Sequence, residues 1–223
     1  MIRFENHAFK GLDESLNQLF GLLKSMGEAT EQLIALLRPA LDVANPENFA
    51  RAKEIDKTVN EAELKVDSVV SGIINKFTVM GEELRFTLAA VKISGTLERA
   101  ADKIKNCAKR LSRISTPLDA PVRVQLASAI DALAAMVPLS MAQVLDYKVE
   151  TTDILLKHGA SVQNAYRTIL LHLHDHKSSA EDEAHILLVA KNLEQAADMA
   201  VEIMKISHYI HFGTKFDKRA AVA

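Results

Sequence analysis

The chain has 223 residues, of which 48% are hydrophobic and 25% are charged, and its formal net charge is −2. A charge so close to zero does not favour binding to nucleic acid or to an anionic membrane surface. The single cysteine excludes a disulfide within the chain and is typical of a reducing cytoplasm. No run of about 18 uncharged apolar residues is present, so no membrane span is expected.

The first half of the chain has the pattern of three long helices. Glycine and proline are scarce, with 8 and 5 residues in the whole chain, and apolar residues recur at spacings of three and four. Pro46 disfavours helix at Asn45, which is expected to cap the second helix. The expected helices cover residues 4–44, 46–77 and 82–114.

The second half repeats this organisation after a clear break. Residues 115–121 contain two prolines and a polar cluster, which is typical of a linker. Ser179 is expected to cap the last helix, with Asp182 completing an imperfect capping box, and Gly213 is expected to end it. The expected helices cover residues 121–147, 152–176 and 180–212.

This order of elements predicts an all-α fold of two tandem three-helix bundles, because long helices with short connections pack antiparallel. The expected units are residues 1–116 and 117–223, and a single six-helix bundle is the alternative. No phosphate-binding loop, Glu-x-x-His pair or nucleophile motif is present. We therefore expect no enzymatic activity.

One short phrase occurs in the last helix of each half. Each copy places a glutamate four residues before an aspartate on one helix face, where like charges repel. Such a pair can chelate a cation, or it can be an acidic edge neutralised by Arg99, Lys103 or Lys105. The copies are Leu97-Glu98-Arg99-Ala100-Ala101-Asp102 and Leu193-Glu194-Gln195-Ala196-Ala197-Asp198.

The neighbouring helix of the first half offers a second polar pair. Asp56 and Asn60 are also four residues apart, and an antiparallel hairpin could turn them toward the first phrase. In the second half, alignment through Val59 and Val162 matches this pair with residues 159 and 163, a glycine and a glutamine. We therefore expect the first half to hold a metal better than the second. The candidate ligands are Asp56, Asn60, Glu98, Asp102, Glu194 and Asp198.

The duplicated phrase resembles the PhoU family, accessory and regulatory proteins of bacterial phosphate transport. That family has Leu-Glu-Arg-Ile-Gly-Asp on the third helix of each repeat, and here Ala101 and Ala197 stand where it usually has glycine. Gln195 stands where the family has the arginine of the second phrase. Gly159 and Gln163 stand where the family has an acidic pair in the fifth helix. Further matches are Met26-Gly27, residues 56–63, Leu84-Arg85, Lys92-Ile93, Ala190-Lys191-Asn192 and Tyr209-Ile210-His211-Phe212-Gly213.

The resemblance implies a cytoplasmic, frequently dimeric protein made of two three-helix bundles. It implies docking on the ATPase of the phosphate transporter and on a membrane sensor kinase, which would place the protein peripherally at the inner membrane. By these contacts the protein would restrain phosphate uptake and the phosphate-starvation response. It also implies iron or zinc at the carboxylate phrases, with Asn60 as a weaker ligand. The alternatives are a divergent metal-binding helical protein or an interaction scaffold outside phosphate control.

Overall fold

A computed structural model describes residues 10–42, 46–175 and 179–217 of the chain. Within these ranges the chain forms six long α-helices and one four-residue helix, without a strand. The prediction of an all-α fold is therefore confirmed. The helices are α1 (Lys10–Ala35), α2 (Leu37–Ala40), α3 (Pro46–Lys76), α4 (Gly81–Leu111), α5 (Ala120–Leu145), α6 (Val149–Asp175) and α7 (Ala180–Phe212).

The first predicted helix is interrupted near its end. Pro39 has no N–H to donate to the carbonyl of Ala35, and its ring crowds that carbonyl, so α1 ends there. The amide of Leu36 bonds to the carbonyl of Leu33 at 3.2 Å, which is a tighter turn. The prediction of helix beyond residue 40 is wrong for residues 41 and 42, which form a turn. Residues 4–9 and 43–45, including the predicted cap Asn45, lie outside the described residues.

The other five long helices begin and end within three residues of the predicted positions. α7 has the predicted bounds, and Gly213 follows it with φ at +71°, a left-handed conformation that suits glycine. Its amide donates to the carbonyl of Tyr209 at 2.9 Å. Pro138 lies inside α5. The predicted end of the fifth helix, His176, lies outside the described residues.

The long helices pack in two sets that follow chain order. α1 packs against α3 and α4, and α5 packs against α6 and α7. The pair α4–α7 has the most extensive contact of all, and α1 also contacts α5. Both sets therefore contribute to one continuous apolar core. The division into residues 1–116 and 117–223 stays a prediction, since both halves share this core.

The central helices α4 and α7 are antiparallel. Near the start of α4, Arg85 Nε donates to the carbonyl of Ile210 at 2.7 Å. Near its end, Arg110 Nη1 lies 3.4 Å from His185 Nδ1, in the second turn of α7. These two contacts give one register, in which the duplicated phrases lie beside each other at the middle of the pair.

Small side chains occupy this crossing. All four alanines of the two phrases are buried, and short side chains let helix axes approach closely. Cys107 is also buried against α7, with its Sγ 3.6 Å from the carbonyl of Val189. Burial raises the pKa of the Cys107 thiol far above its ordinary value. We therefore expect this thiol to be unreactive and to serve as a packing group of the core.

The linker is fastened to α7 by Asp182. This carboxylate is 2% exposed and accepts hydrogen bonds from the amides and hydroxyls of Ser115 and Thr116, at 2.7–3.2 Å. Ser179 stands at the N-cap position of α7, but its side chain makes no capping hydrogen bond. The predicted capping box is therefore wrong, because Asp182 bonds to the linker.

α5 is the helix within the described ranges that is long and apolar enough to cross a membrane by length and composition. The same properties occur in core helices of bundles. Here 50% of the residues in its most apolar window are buried, and α5 packs against α1, α6 and α7. We therefore describe α5 as a core helix.

Candidate site at the duplicated carboxylate phrases

Lys105 joins the first phrase to α3. Its Nζ lies 2.8 Å from Asp56 Oδ2 and 2.9 Å from Asp102 Oδ1, so one ammonium bridges carboxylates of two helices. Asn106 Nδ2 also donates to Asp102 Oδ2, at 3.1 Å. Asp56 is 7% exposed, and its Oδ1 has no hydrogen-bond partner among the described residues. The structure therefore brings the predicted residues Asp56 and Asp102 together, through a lysine.

Negative charge remains in excess around this ammonium. Burial raises the pKa of Glu98, and the nearby charges of Glu63, Asp102 and Asp56 raise it further, while Lys105 lowers it. Burial lowers the pKa of Lys105, but the hydrogen bonds to Asp56 and Asp102 outweigh burial and the net shift is upward. Four carboxylates thus face one cation at the α3–α4 contact.

Glu63 belongs to this cluster although the sequence analysis did not select it as a ligand. A methyl group on Gly95 of α4 would lie 3.4 Å from Glu63 Oε1, which places the glutamate against α4. Glu63 follows Asp56 by seven residues, so helical periodicity puts both on one face. That spacing could have identified it. Asn60, the weaker predicted ligand, is exposed on α3.

The second phrase has its own lysine. Lys191 Nζ pairs with Glu194 Oε2, three residues later on α7. The same Nζ lies 5.1 Å from the centre of the Tyr166 ring on α6, in cation–π geometry. Asp198 is exposed; burial and Glu194 raise its pKa, while Lys191 is among the groups that lower it. Glu194 of the second predicted pair is therefore bound by a lysine that also contacts an aromatic ring.

An apolar contact stands in the second half where the first half has its ion pair. A methyl group on Gly159 would lie 3.6 Å from Val201 Cγ2. Val201 follows Asp198 by three residues, as Lys105 follows Asp102. Gly159 is the residue that sequence alignment matched with Asp56, and this contact supports that alignment. Gln163, the other matched residue, is exposed.

The donor set does not fit a metal ion as the side chains lie. Among the described residues, no three histidine, cysteine, aspartate or glutamate side chains are grouped so that they could hold one. The ammonium of Lys105 lies between two of the predicted carboxylates, and a second cation there would be repelled. Iron or zinc at Asp56, Asn60, Glu98, Asp102, Glu194 and Asp198 stays a prediction.

Comparisons with known proteins agree with this fold. The model of the PhoU domain family matches residues 23–111. A phosphate-specific transport system accessory protein PhoU homolog from Zymomonas mobilis is 30% identical, and the match covers 96% of this chain and 92% of that protein. The homolog from Rhizobium meliloti is 24% identical, with 94% and 90% covered.

Solved structures show the same architecture. The crystal structure of PhoU from Pseudomonas aeruginosa matches this chain with a TM-score of 0.82 and 19% identity, covering 91% of this chain and 99% of that one. The phosphate transport system regulatory protein PhoU from Streptococcus pneumoniae matches with a TM-score of 0.81 and 18% identity, covering 92% and 99%. At this identity the likeness establishes the fold, and the predicted arrangement of helical bundles is confirmed.

Proposed function

This chain belongs to the PhoU family, and from that premise we propose that it is a non-enzymatic accessory protein that regulates phosphate transport and phosphate-starvation signalling. The observation that carries the proposal is similarity to an accessory protein of phosphate transport over nearly the full length of both chains. The protein acts in the cytoplasm, peripherally at the inner membrane through its partners. Those partners are the ATPase of the phosphate transporter and a membrane sensor kinase, and contact with the protein restrains both.

The groove between α4 and α7 is the surface we propose for these contacts. It encloses about 510 Å³ beside the exposed side chains of Leu88 and Tyr209. Three lysines and one glutamate also line it, so positive charge is in excess: Lys92, Lys205, Lys215 and Glu202. An apolar floor bordered by ammonium groups suits an acidic, amphipathic segment of a partner protein, because apolar burial supplies affinity and opposite charges set orientation.

A gene deletion with complementation tests the function and the surface separately. Deletion is expected to raise phosphate uptake and phosphate-starvation transcription in phosphate-replete cells, and the unchanged gene is expected to restore both. The double variant Leu88→Asp, Tyr209→Asp is expected not to restore them. The matched control is Leu64→Asp on α3, whose side chain is 70% exposed, and it is expected to restore both.

The two parts of the proposal fail in different ways. An unchanged phosphate response in the deletion strain would overturn the regulatory function and favour a scaffold outside phosphate control. Restoration by a folded double variant would overturn the groove assignment and leave the function standing. Circular dichroism of each purified variant establishes that it is folded. The predicted homodimer is tested by light scattering of the purified chain.

A further inference from the structure

The acidic cluster at the α3–α4 contact surrounds one lysine ammonium. Asp56, Glu63, Glu98 and Asp102 lie on facing helix surfaces, and three of these carboxylates raise the pKa of the fourth. Partly buried like charges repel because the protein screens them less than water does. Lys105 is the cation that the chain itself provides, and its side chain is 21% exposed.

A lysine ammonium and a metal ion exclude each other at this position. The ammonium places its donors 2.8 and 2.9 Å from oxygens of Asp56 and Asp102. A divalent ion would contact the same oxygens at about 2.0–2.6 Å. Both cannot occupy the space between these two carboxylates, because the cations repel each other and need the same lone pairs.

The second phrase also pairs with a lysine, but this lysine lies at a different position in the sequence. Lys191 precedes Glu194 by three residues, whereas Lys105 follows Asp102 by three. In the alignment of the two phrases, Lys105 corresponds to Val201 and Lys191 corresponds to Gly95. The two lysines are therefore not copies of one ancestral residue, and the carboxylates of each phrase pair with a lysine at a different helix position.

We propose that Lys105 and Lys191 are the resident cations of the two phrases, and that Lys105 takes the place of a metal ion between α3 and α4. The native protein is then complete without a metal. Removal of the Lys105 ammonium leaves Asp56, Glu98 and Asp102 facing one another, together with the unpaired Oδ1 of Asp56. As they lie, no three carboxylates among the described residues are grouped to hold an ion. In the variant we expect an added divalent cation to draw these side chains together into an all-oxygen donor set.

The test compares metal content and thermal stability in full-length, untagged protein after dialysis against a chelator. The variants are Lys105→Met and, as the matched control on the same helix, Lys103→Met. The probes are Mn²⁺ and Zn²⁺ added separately, with bound metal measured by elemental analysis and unfolding followed by circular dichroism. Wild type and Lys103→Met are expected to bind no stoichiometric metal and to keep their Tm when metal is added.

Lys105→Met is expected to unfold at a lower temperature than wild type. Added metal is expected to raise its Tm by about 5 °C and to bind at about one ion per chain. Both effects are expected to disappear in the double variant Lys105→Met, Asp56→Asn. If Lys105→Met does not fold, Lys105→Gln is used, because its amide can still donate to a carboxylate.

Two results would overturn the proposal. One is a stoichiometric metal in wild type that is lost on Asp102→Asn, since Lys105 would then coexist with the ion. The other is a folded Lys105 variant that neither loses stability nor gains metal. Because the readouts are metal content and Tm, both results are independent of the proposed role in phosphate regulation.

Discussion

Replacement of Asp182 by alanine is expected to release the linker between the two halves of the chain. The buried carboxylate accepts bonds from Ser115 and Thr116, two from amides and two from hydroxyls. A hydrogen bond to a charged group contributes about 1.5–3 kcal/mol. Ser115 and Thr116 are themselves exposed, so water replaces the carboxylate at these donors in the variant. We therefore expect a total loss of about 2–3 kcal/mol rather than the sum of all the bonds.

Urea unfolding followed by circular dichroism measures this loss, since the chain has no tryptophan to report by fluorescence. Glu181→Ala is the matched control, because Glu181 is exposed in the same turn of α7. It loses an interaction with the helix dipole and is expected to cost less than about 1 kcal/mol. An Asp182→Ala variant within about 0.5 kcal/mol of wild type would refute the reasoning.

The pH dependence of stability gives a second readout of the same contact. The hydroxyl of Thr116 and the amide of Ser115 lower the pKa of Asp182 below its ordinary 3.8. The stabilisation is therefore complete above that ordinary value and is lost as the pH falls through the lowered pKa. Asp182→Asn has no carboxylate to protonate and is expected to lack this loss. Parallel acid denaturation of wild type and Asp182→Asn would contradict the assignment.

Three further predictions concern α4. Because burial and nearby carboxylates raise the pKa of Glu98, its contribution to stability is largest at low pH and is lost as the pH rises through the raised pKa. Glu98→Gln should therefore increase the free energy of unfolding at pH 7. The increase should be less than about 1 kcal/mol, since solvent screens this partly exposed group. An unchanged or lower free energy of unfolding would contradict the prediction. Ala101→Leu should lower the free energy of unfolding by about 1–3 kcal/mol, because it overpacks the α4–α7 crossing. The control Ala160→Leu, at an exposed position of α6, should change the free energy of unfolding little. Equal effects of the two variants would show that the crossing lies elsewhere. The Cys107 thiol should react with a disulfide reagent at least about 100-fold more slowly in the native protein than in urea, and a fast native reaction would show that it is accessible.

Part of the candidate site followed from the sequence. The four-residue spacing identified Glu98 and Asp102, and the same spacing on the neighbouring helix of the hairpin identified Asp56 as the partner on α3. Glu63 was missed, although its spacing of seven from Asp56 puts it on the same face. Asn60 was selected by a spacing of four, yet it is exposed. A spacing defines a helix face only to within a wide angle, so the neighbouring helix decides which members of that face are buried.

Local chemistry by itself determined the helices and the repeat. Apolar spacing, prolines and glycines act within a few residues, and so five of the six long helices begin and end near their predicted positions. The one large difference, at Pro39, also has a local cause that the prediction overlooked. The duplicated phrase is likewise visible without a structure, and it predicts two equivalent halves.

Tertiary packing decided which of several nearby cations pairs with the first phrase. Arg99, Lys103 and Lys105 were all within reach of the first phrase along α4, and only the approach of Asp56 from α3 distinguishes Lys105. Asp182 has the sequence position of a capping residue, but the linker docked beside it offers four hydrogen-bond donors. Burial and long-range contacts are properties of how the helices assemble, so the fold selects among the partners that the sequence places near each carboxylate.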